Sequence, residues 1–317
     1  MIHCRPFRNA DPPALSRIWN AESPVADMIQ PLKLLHWDRF VLSKPYFTAS
    51  GLLLALRDDR AVGYVHASLP GSDAAGDSSA PRRGALSMLH VAPDLEDGAI
   101  ARMLIERGES VLRERGVATI QAGGFDPIDP FYFGLYGAAT PGVRVSDTRR
   151  MAWFTAAGYQ EAKRYQVRQI ELAMFRSPVD RQLMQIRRLY DVSLEYDWPV
   201  GSPSEACTVG VLDRVRYRAK HQTHGTIDAS VTLIDLNAIS GIFSPRRYAV
   251  ERIDAAPEHW ESGLVTYLLV DTVRQLQAYG VSSLQTHVDA AATGQQQVLD
   301  RLGFRNHDSS VVMLKTI

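Results

Sequence analysis

The sequence predicts an α/β (α+β) fold made of two copies of one unit. In the first copy, a short apolar strand from Leu86 to Val91 runs into Pro93, and apolar residues follow at helical spacing between Ile100 and Leu112. A strand, a tight turn and a helix are therefore predicted at this point. A similar stretch occurs later in the chain, which indicates a duplicated unit.

The repeat keeps a single offset of 164 positions along its length. Four pairs of identical residues share this offset: Pro93 and Pro257, Leu104 and Leu268, Leu112 and Leu276, and Gly116 and Gly280. Each copy is followed by a second predicted helix, and these helices end in the similar dipeptides Gly158-Tyr159 and Gly303-Phe304. One shared residue pair would carry little weight, but four at one offset favour a duplication.

The remaining elements are predicted from alternation and from turn residues. In the first copy, strands are expected at Ile2 to Phe7, Gly51 to Leu56, Ala61 to Leu69, Gly84 to Val91, Ala118 to Ala122 and Tyr165 to Leu172. In the second copy, they are expected at Arg181 to Asp191, Cys207 to Ala219, Ala229 to Leu236 and Tyr248 to Ala255. Arg176-Ser177-Pro178 is the best boundary, which gives domains of residues 1–175 and 176–317.

Composition narrows the class of protein. The chain has 317 residues, which suits two domains, and its 35 Lys+Arg balance its 35 Asp+Glu. A neutral chain without a long basic run is not expected to bind nucleic acid or an anionic membrane. Cys4 and Cys207 could pair, but two buried thiols in a reducing compartment are favoured. Because the sequence shows no apolar signal core and no run of roughly 18 apolar residues, we expect a soluble cytoplasmic protein. We expect it to be a monomer or a homodimer.

The order of strand, Val-x-Pro turn, helix, strand and second helix ending in Leu-Gly-Phe resembles the GNAT superfamily of acyl-CoA-dependent N-acyltransferases. The duplication makes the chain similar to the tandem-domain subgroup over nearly its whole length. The resemblance implies, for each copy, a mixed and mostly antiparallel sheet that is flanked by helices. It also implies that the sheet splays between its fourth and fifth strands, with acetyl-CoA as co-substrate in the gap.

Small residues at the start of each repeated helix leave backbone N–H groups accessible to a phosphate group. With the neighbouring strand, they give the candidate cofactor-binding residues Leu89, Val91, Asp97, Gly98, Ala99, Ile100, Ala101 and Arg102 in the first copy and Ser262, Gly263, Leu264 and Val265 in the second. Both copies depart from the family pattern, because Glu96 and Trp260 stand where the family has Arg or Gln. We expect acetyl-CoA in the first copy, whose turn is less obstructed than the one that contains Val265.

The resemblance places a general base on the fourth strand and an acid tyrosine on the second helix. Ser87 occupies the base position in the first copy and Glu251 occupies it in the second. Glu251 could deprotonate an ammonium acceptor, or it could simply pair with a neighbouring arginine. Phe154 replaces the acid tyrosine, so Tyr136 or Tyr132 of the linker after the fifth strand could supply the proton instead. The candidate catalytic residues are therefore Glu251, Ser87 and Tyr136.

The acceptor wall is expected in the first helical region. Trp19, Trp37 and Tyr46 could shape a pocket there, although packing in the core is the more common role for such side chains. His90 could take a proton near neutral pH, but strand alternation points it away from Leu89. No HExxH or CxxC spacing occurs, so no metal is expected.

Two hypotheses about function remain. The first is transfer of an acetyl group from acetyl-CoA to the primary amine of a small molecule, with the amine attacking the thioester directly. The second is a non-catalytic module of the same fold that binds CoA weakly or binds another ligand. The departures from the family pattern motivate the second hypothesis.

Overall fold

The computed structural model describes residues 2–23, 28–70, 82–93, 97–125, 132, 134–136, 140–196, 198–210, 212–237 and 245–317. The helices are α1 (Pro12–Ala21), α2 (Leu34–Trp37), α3 (Asp97–Glu114), α4 (Thr148–Ala156), α5 (Arg181–Ile186), α6 (Pro203–Val209), α7 (Pro257–Glu261), α8 (Leu264–Ala278) and α9 (Thr293–Arg301). Within these described ranges, no helix is long and apolar enough to cross a membrane.

The described part of the chain also contains the strands of the sheet. They are β1 (Ile2–Pro6), β2 (Leu52–Arg57), β3 (Arg60–Ser68), β4 (Arg82–Val91), β5 (Val117–Ala122), β6 (Val143–Arg144), β7 (Gln160–Glu171), β8 (Tyr190–Glu195), β9 (Arg214–His221), β10 (Ile227–Asp235), β11 (Arg247–Ala255), β12 (Ser283–Asp289) and β13 (Arg305–Thr316). The α/β fold predicted from the sequence is confirmed.

Two compact units divide the chain, and they interleave in sequence. The first unit contains residues 1–164, 200–211 and 309–317, and the second contains residues 165–199 and 212–308. Each unit has its own hydrophobic core. Leu86, Leu89 and Leu104 belong to the first core, and Leu233, Leu268 and Leu284 belong to the second. The boundary expected near Arg176 stays a prediction.

In the first unit, the sheet order is β1-β2-β3-β4-β5-β13, and β4-β5 is its parallel pair. His66 pairs with Met88 while Ala67 pairs with Leu86, so Ser87 is an extra residue that forms a β-bulge. The pairing of β4 with β5 stops at Leu86, although β4 continues to Val91. The first unit therefore has the gap between its fourth and fifth strands that the resemblance implied.

In the second unit, the sheet order is β7-β12-β11-β10-β9-β8, and β11-β12 is its parallel pair. Thr232 pairs with Arg252 while Leu233 pairs with Val250, so Glu251 is the extra residue of a β-bulge. The pairing of β11 with β12 stops at Ala249, well before β11 ends. The second unit thus repeats both the bulge and the gap.

Two strand predictions in the second copy are wrong over part of their length. The segment from Arg181 begins as helix α5 and becomes strand β8 only at Tyr190. Asp180 starts the helix, because its carboxylate accepts a hydrogen bond from the Gln182 N–H at 2.7 Å. Likewise Cys207 lies in α6, where the Ser202 hydroxyl accepts from the Glu205 N–H at 3.1 Å. In both places an N-cap residue favoured a short helix over a strand.

Candidate active site

The gap in the first unit exposes one edge of β4. The Leu89 carbonyl accepts a hydrogen bond from the Arg150 Nε at 2.8 Å, and the Val91 carbonyl accepts one from Arg149 at 3.0 Å. Ala92, in contrast, donates its N–H to β3, to the carbonyl of Val62 at 2.9 Å. Because the N–H and C=O of one strand residue point to the same side, the N–H groups of Leu89 and Val91 also face the gap. An extended ligand with amide groups can align along this edge.

The start of α3 lies after the end of β4 and is open. Gly98 and Ala99 are exposed, and a methyl group added at Gly98 would meet no atom within 4 Å. Ile100 and Ala101 are buried and hold the helix against the core. The Arg102 side chain is exposed, and its guanidinium pairs with Glu106 at 2.8 Å.

Among the described residues, no atom lies within 4 Å of a methyl group added at Gly98, so the first turn of α3 leaves room for an anion there. Asp97 is the first residue of α3. Asp94, Leu95, Glu96 and the Asp97 side chain lie outside the described part of the structure.

The corresponding helix start in the second unit is covered. Gly263 precedes α8 in a left-handed conformation with φ of 84°, and the Gln182 side chain donates a hydrogen bond to the Ser262 carbonyl at 2.7 Å. A methyl group added at Gly263 would lie 3.2 Å from that amide nitrogen. Leu264 and Val265 are buried in the core. Diphosphate binding at Ser262, Gly263, Leu264 and Val265 stays a prediction. The Gln182 side chain leaves less space for a ligand at this helix start.

Polar side chains gather at the Ser87 bulge. The Tyr132 hydroxyl contacts the Ser87 hydroxyl and lies 2.5 Å from His66 Nδ1. The Ser87 hydroxyl is also 2.9 Å from the Ser68 hydroxyl. Burial, with a smaller effect of Arg115, lowers the pKa of His66 to about 3, and burial raises the pKa of Tyr132. At neutral pH, His66 is therefore uncharged.

Tyr136 makes a different set of contacts. Its hydroxyl donates to the Asp147 carboxylate at 3.0 Å and accepts from the Arg144 backbone N–H at 2.9 Å. Burial raises its pKa, and the Asp147 charge raises it further. Phe154 is fully buried and packs edge-on against Tyr159. Tyr132 is thus the linker tyrosine that lies beside Ser87, while the catalytic role expected for Tyr136 stays a prediction.

A buried cluster of charges that was not predicted from the sequence lies next to the gap. Arg150 pairs with Glu22 and, at 2.6 Å, with Asp147. His90 Nδ1 lies 3.1 Å from the Glu22 carboxylate. Burial alone would raise the pKa of Glu22, but His90 and Arg150 outweigh it and lower that pKa to about 2. Burial lowers the pKa of His90, so its imidazole is uncharged at neutral pH. Arg150 is then the group that carries the positive charge beside Glu22.

Aromatic rings enclose His90. The Trp19 ring centroid lies 4.4 Å from the imidazole, and the Tyr64 centroid lies 5.0 Å from it. Trp37 contacts both Trp19 and Tyr64 edge-on. His90 thus lies on the face of β4 that packs against α1, away from the core side chain of Leu89, as alternation predicted. The acceptor wall expected at Trp19 and Trp37 is a packed aromatic cluster.

Glu251 in the second unit is held by an arginine from another strand. Both of its carboxylate oxygens accept from Arg214, at 2.8 Å and 2.7 Å. The Arg214 guanidinium carbon also lies 4.7 Å from the Trp198 ring centroid. Arg252, the neighbour that could have been its partner, pairs with Asp254 instead. A role as base would require Glu251 to act from within this ion pair, and that role stays a prediction.

Comparisons with known proteins agree with this geometry. Residues 13–130 match the model of the acetyltransferase (GNAT) family. No curated protein matches the chain in sequence. A solved tandem GNAT protein from the clavulanic acid biosynthesis pathway, determined without acetyl-CoA, is similar with a TM-score of 0.70 and 15% identity, covering 100% of this chain and 98% of that one.

Two further solved structures share the fold. A GCN5-related N-acetyltransferase from Sphaerobacter thermophilus has a TM-score of 0.63 and 15% identity, covering 99% of this chain and 95% of that one. A GCN5-related glucosamine N-acetyltransferase region of a fungal multi-domain GH3 β-N-acetylglucosaminidase has a TM-score of 0.69 and 14% identity, covering 99% of this chain and 38% of that one. Residues 13–130 of the chain therefore match a GNAT acetyltransferase domain, and the whole chain has the fold of tandem GNAT proteins.

Proposed function

We propose that the protein transfers an acetyl group from acetyl-CoA to the primary amine of a small molecule, and that the first unit carries the reaction. The observation that supports this most is the edge of β4 at Leu89 and Val91, which β5 leaves unpaired beyond the Ser87 bulge and which leads to the start of α3. This edge lies within residues 13–130, the part of the chain that matches the acetyltransferase family. The second unit has the same gap but a covered helix start.

In the proposed reaction, the amine nitrogen bonds to the thioester carbonyl carbon and the C–S bond breaks. The ammonium group first loses one proton to solvent, and the nitrogen loses a second proton as the amide forms. The departing thiolate takes up this second proton and leaves as the free thiol of CoA. A thiolate is a stable leaving group, so Phe154 in place of an acid tyrosine does not prevent the reaction. The chain then contributes orientation along the β4 edge, and backbone N–H groups that stabilise the oxyanion.

A binding experiment tests the proposal. Acetyl-CoA and CoA at millimolar concentration should raise the melting temperature, because a ligand that binds only the folded state stabilises it. Release of free thiol from acetyl-CoA in the presence of a panel of small primary amines should then report turnover. If neither ligand shifts the melting temperature, the proposal is wrong.

A pair of glycine variants locates the site. Gly98 and Gly294 each lie in the first turn of a helix, and a methyl group at either would meet nothing within 4 Å. Gly98→Asp places a negative charge at the proposed diphosphate site and should raise the Kd for CoA at least about tenfold. Gly294→Asp adds the same charge to the second unit and should leave the Kd unchanged. An unchanged Kd for CoA in Gly98→Asp would contradict diphosphate binding at the start of α3.

A second candidate function is a non-catalytic module that binds CoA or another ligand. It is favoured by the arginine contacts in the gap, since Arg150 and Arg149 already satisfy the Leu89 and Val91 carbonyls. A melting-temperature shift with CoA but no thiol release with any amine would support this candidate over the enzyme.

A further inference from the structure

We propose that Glu22 of the first unit anchors a second ammonium group of the acceptor, and that the acceptor is therefore a diamine. One amino group reacts with the thioester, while the other stays charged and pairs with Glu22. This inference rests on the proposed function. It narrows the acceptor from primary amines in general to amines that carry a second positive charge.

The charges that are buried beside β4 do not balance. Glu22 and Asp147 both pair with Arg150, and the side chains of all three are at most 3% exposed. In the described part of the chain, these two carboxylates form ion pairs with Arg150 and His90 alone. The residues outside the described ranges contain no lysine, arginine or histidine. Two carboxylates thus share one permanent positive charge, and a buried charge without a counter-charge is costly.

His90 does not supply the missing charge. Its Nδ1 lies 2.7 Å from Arg150 Nη2 and 3.1 Å from Glu22 Oε1. A guanidinium can only donate, so Nδ1 accepts from Arg150 and has no proton to give to Glu22. Burial also lowers the pKa of His90, which keeps the imidazole uncharged at neutral pH. The missing cation therefore comes from outside this cluster.

One oxygen of Glu22 is available to that cation. Glu22 Oε2 accepts from Arg150, and both carboxylate oxygens of Asp147 accept from Arg150 as well. Glu22 Oε1 is buried, and no group in the described part of the structure donates a hydrogen bond to it. Because buried carboxylate oxygens normally accept hydrogen bonds, Oε1 is the atom at which we place the ammonium group.

Further buried polar atoms without partners surround this oxygen. Among the described residues, neither the Tyr64 hydroxyl nor His90 Nε2 has a hydrogen-bond partner, and both side chains are fully buried. Burial raises the pKa of Tyr64 and the Glu22 charge raises it further, so the hydroxyl lies near this carboxylate. The Tyr64 oxygen is therefore a second acceptor for an ammonium group, which is about as large as one buried water molecule.

Glu22 is suited to be an anchor and not a base. Burial alone would raise its pKa, but His90 and Arg150 lower that pKa to about 2. An ammonium group has a pKa of about 10, so it keeps its proton when it binds to Glu22 and cannot attack a thioester. Acetylation then requires another amino group of the same molecule at the edge of β4. A diamine is the smallest acceptor that meets both conditions.

The second unit carries a different group at the corresponding strand position. The offset of 164 residues places Asp254 where the first unit has His90. Asp254 is half exposed and pairs with Arg252 of the same strand at 2.9 Å. The buried excess of negative charge next to the gap is thus a feature of the first unit, to which we assign the reaction.

Two amines of the same length separate anchoring from a structural role. The KM for 1,4-diaminobutane should be about 10-fold to 100-fold lower than the KM for butylamine, since one more charge-assisted contact forms. Glu22→Gln should raise the KM for 1,4-diaminobutane by the same factor and change the KM for butylamine less than about twofold. Glu22→Asp keeps the charge and should retain most of the preference for the diamine.

The control is Glu109→Gln, which removes another buried carboxylate of the first unit. Both oxygens of Glu109 lie 2.8 Å from Lys315 Nζ. Its KM for either amine should stay within about twofold of the unmodified protein. Circular dichroism and melting temperature confirm that each variant is folded. If Glu22→Gln does not fold, the amine preference of the unmodified protein and of Glu22→Asp decides the question.

Three results would overturn the inference. In the first, the unmodified protein acetylates both amines with the same KM, which leaves the proposed function standing. In the second, Glu22→Gln loses both amines equally, which indicates a structural role. In the third, neither amine releases thiol, and the melting-temperature shift with acetyl-CoA then decides separately whether the proposed function also fails.

Discussion

Ser87 and Glu251 hold the same position in their sheets, because each is the extra residue of the bulge in the strand next to the gap. The two bulges therefore present side chains of different chemistry, a hydroxyl group in the first unit and a carboxylate in the second. Ser87 lies in a buried cluster of uncharged hydroxyl groups, whereas Glu251 is locked in an ion pair with Arg214. The duplication has therefore kept the fold and changed the site, so the two units can be tested separately.

Glu251→Gln should lower stability without lowering activity. The change removes one partner of a half-buried ion pair and leaves Arg214 without its carboxylate, which costs about 1–3 kcal/mol. Because we place the reaction in the first unit, kcat/KM for acetyl transfer should stay within about twofold. Urea unfolding and thiol release are the two measurements.

Asp254→Asn is the matched control, since it breaks the exposed pair with Arg252 on the same strand and should cost under about 1 kcal/mol. A large loss of activity in Glu251→Gln, with stability unchanged, would instead make the second unit the catalytic one.

Tyr132→Phe tests which of the two linker tyrosines, Tyr132 or Tyr136, contributes to the rate of acetyl transfer. The change removes the hydroxyl that contacts both Ser87 and His66, so kcat should fall about tenfold while the KM for acetyl-CoA stays similar. Tyr136→Phe is the comparison, because it removes an equally buried hydroxyl that bonds to Asp147. Both variants should lose about 1–3 kcal/mol of stability. A larger fall in kcat for Tyr136→Phe would support the role expected for it from the sequence.

Gly263→Ala should destabilise the second unit and leave CoA binding intact. The residue has φ of 84°, where an alanine costs about 1–2 kcal/mol, and the new methyl would press on Gln182 at 3.2 Å. Gly294→Ala is the control, since this helical position is open and should gain about 0.5–1 kcal/mol. Weaker CoA binding in Gly263→Ala alone would indicate that the second helix start holds the diphosphate.

The Glu22 carboxylate should make the protein sensitive to acid. Its pKa is about 2 in the folded chain against an ordinary value of 4.5, because His90 and Arg150 outweigh the effect of burial. A group whose pKa is lowered by folding stabilises the fold above its unfolded pKa, and this stability is lost as the pH falls from about 4.5 toward 2. The difference corresponds to about 3 kcal/mol.

Urea unfolding between pH 6 and pH 3 measures this effect. Glu22→Gln should remove this part of the pH dependence, while Glu106→Gln, an exposed change, should keep it. A Glu22→Gln curve parallel to that of the unmodified protein would contradict the assignment.

The fold could be predicted well from the duplicated pattern, because the spacing of apolar residues that marks a helix or a strand is visible within a short stretch of sequence. The 164-residue offset also aligns Ser87 with Glu251, and each of these residues is the extra residue of a β-bulge. Short helices were harder to predict, since α5 shows only two buried apolar residues, Leu183 and Ile186. Two such residues do not distinguish a helical turn from an alternating strand.

The charged cluster could not be predicted from the sequence. Glu22 and Arg150 lie far apart in the sequence and meet only because α1 and α4 both contact the end of β4. No local spacing marks such a pair. The same holds for Tyr132 and His66, which come together through the linker after β5. Tertiary contacts of this kind need the fold before they can be recognised.

The first unit takes its last strand from the far end of the chain. Met313 to Thr316 pair with β5, and Gly142 lies so close to Val311 that an added methyl would be 2.1 Å from the Val311 carbonyl oxygen. During synthesis, the ribosome must therefore complete the entire second unit before β5 gains this neighbour. Until then the nascent N-terminal region carries an unpaired strand edge, which is a site for wrong association. Ribosome-bound or truncated chains that stop before residue 309 should consequently depend on chaperones.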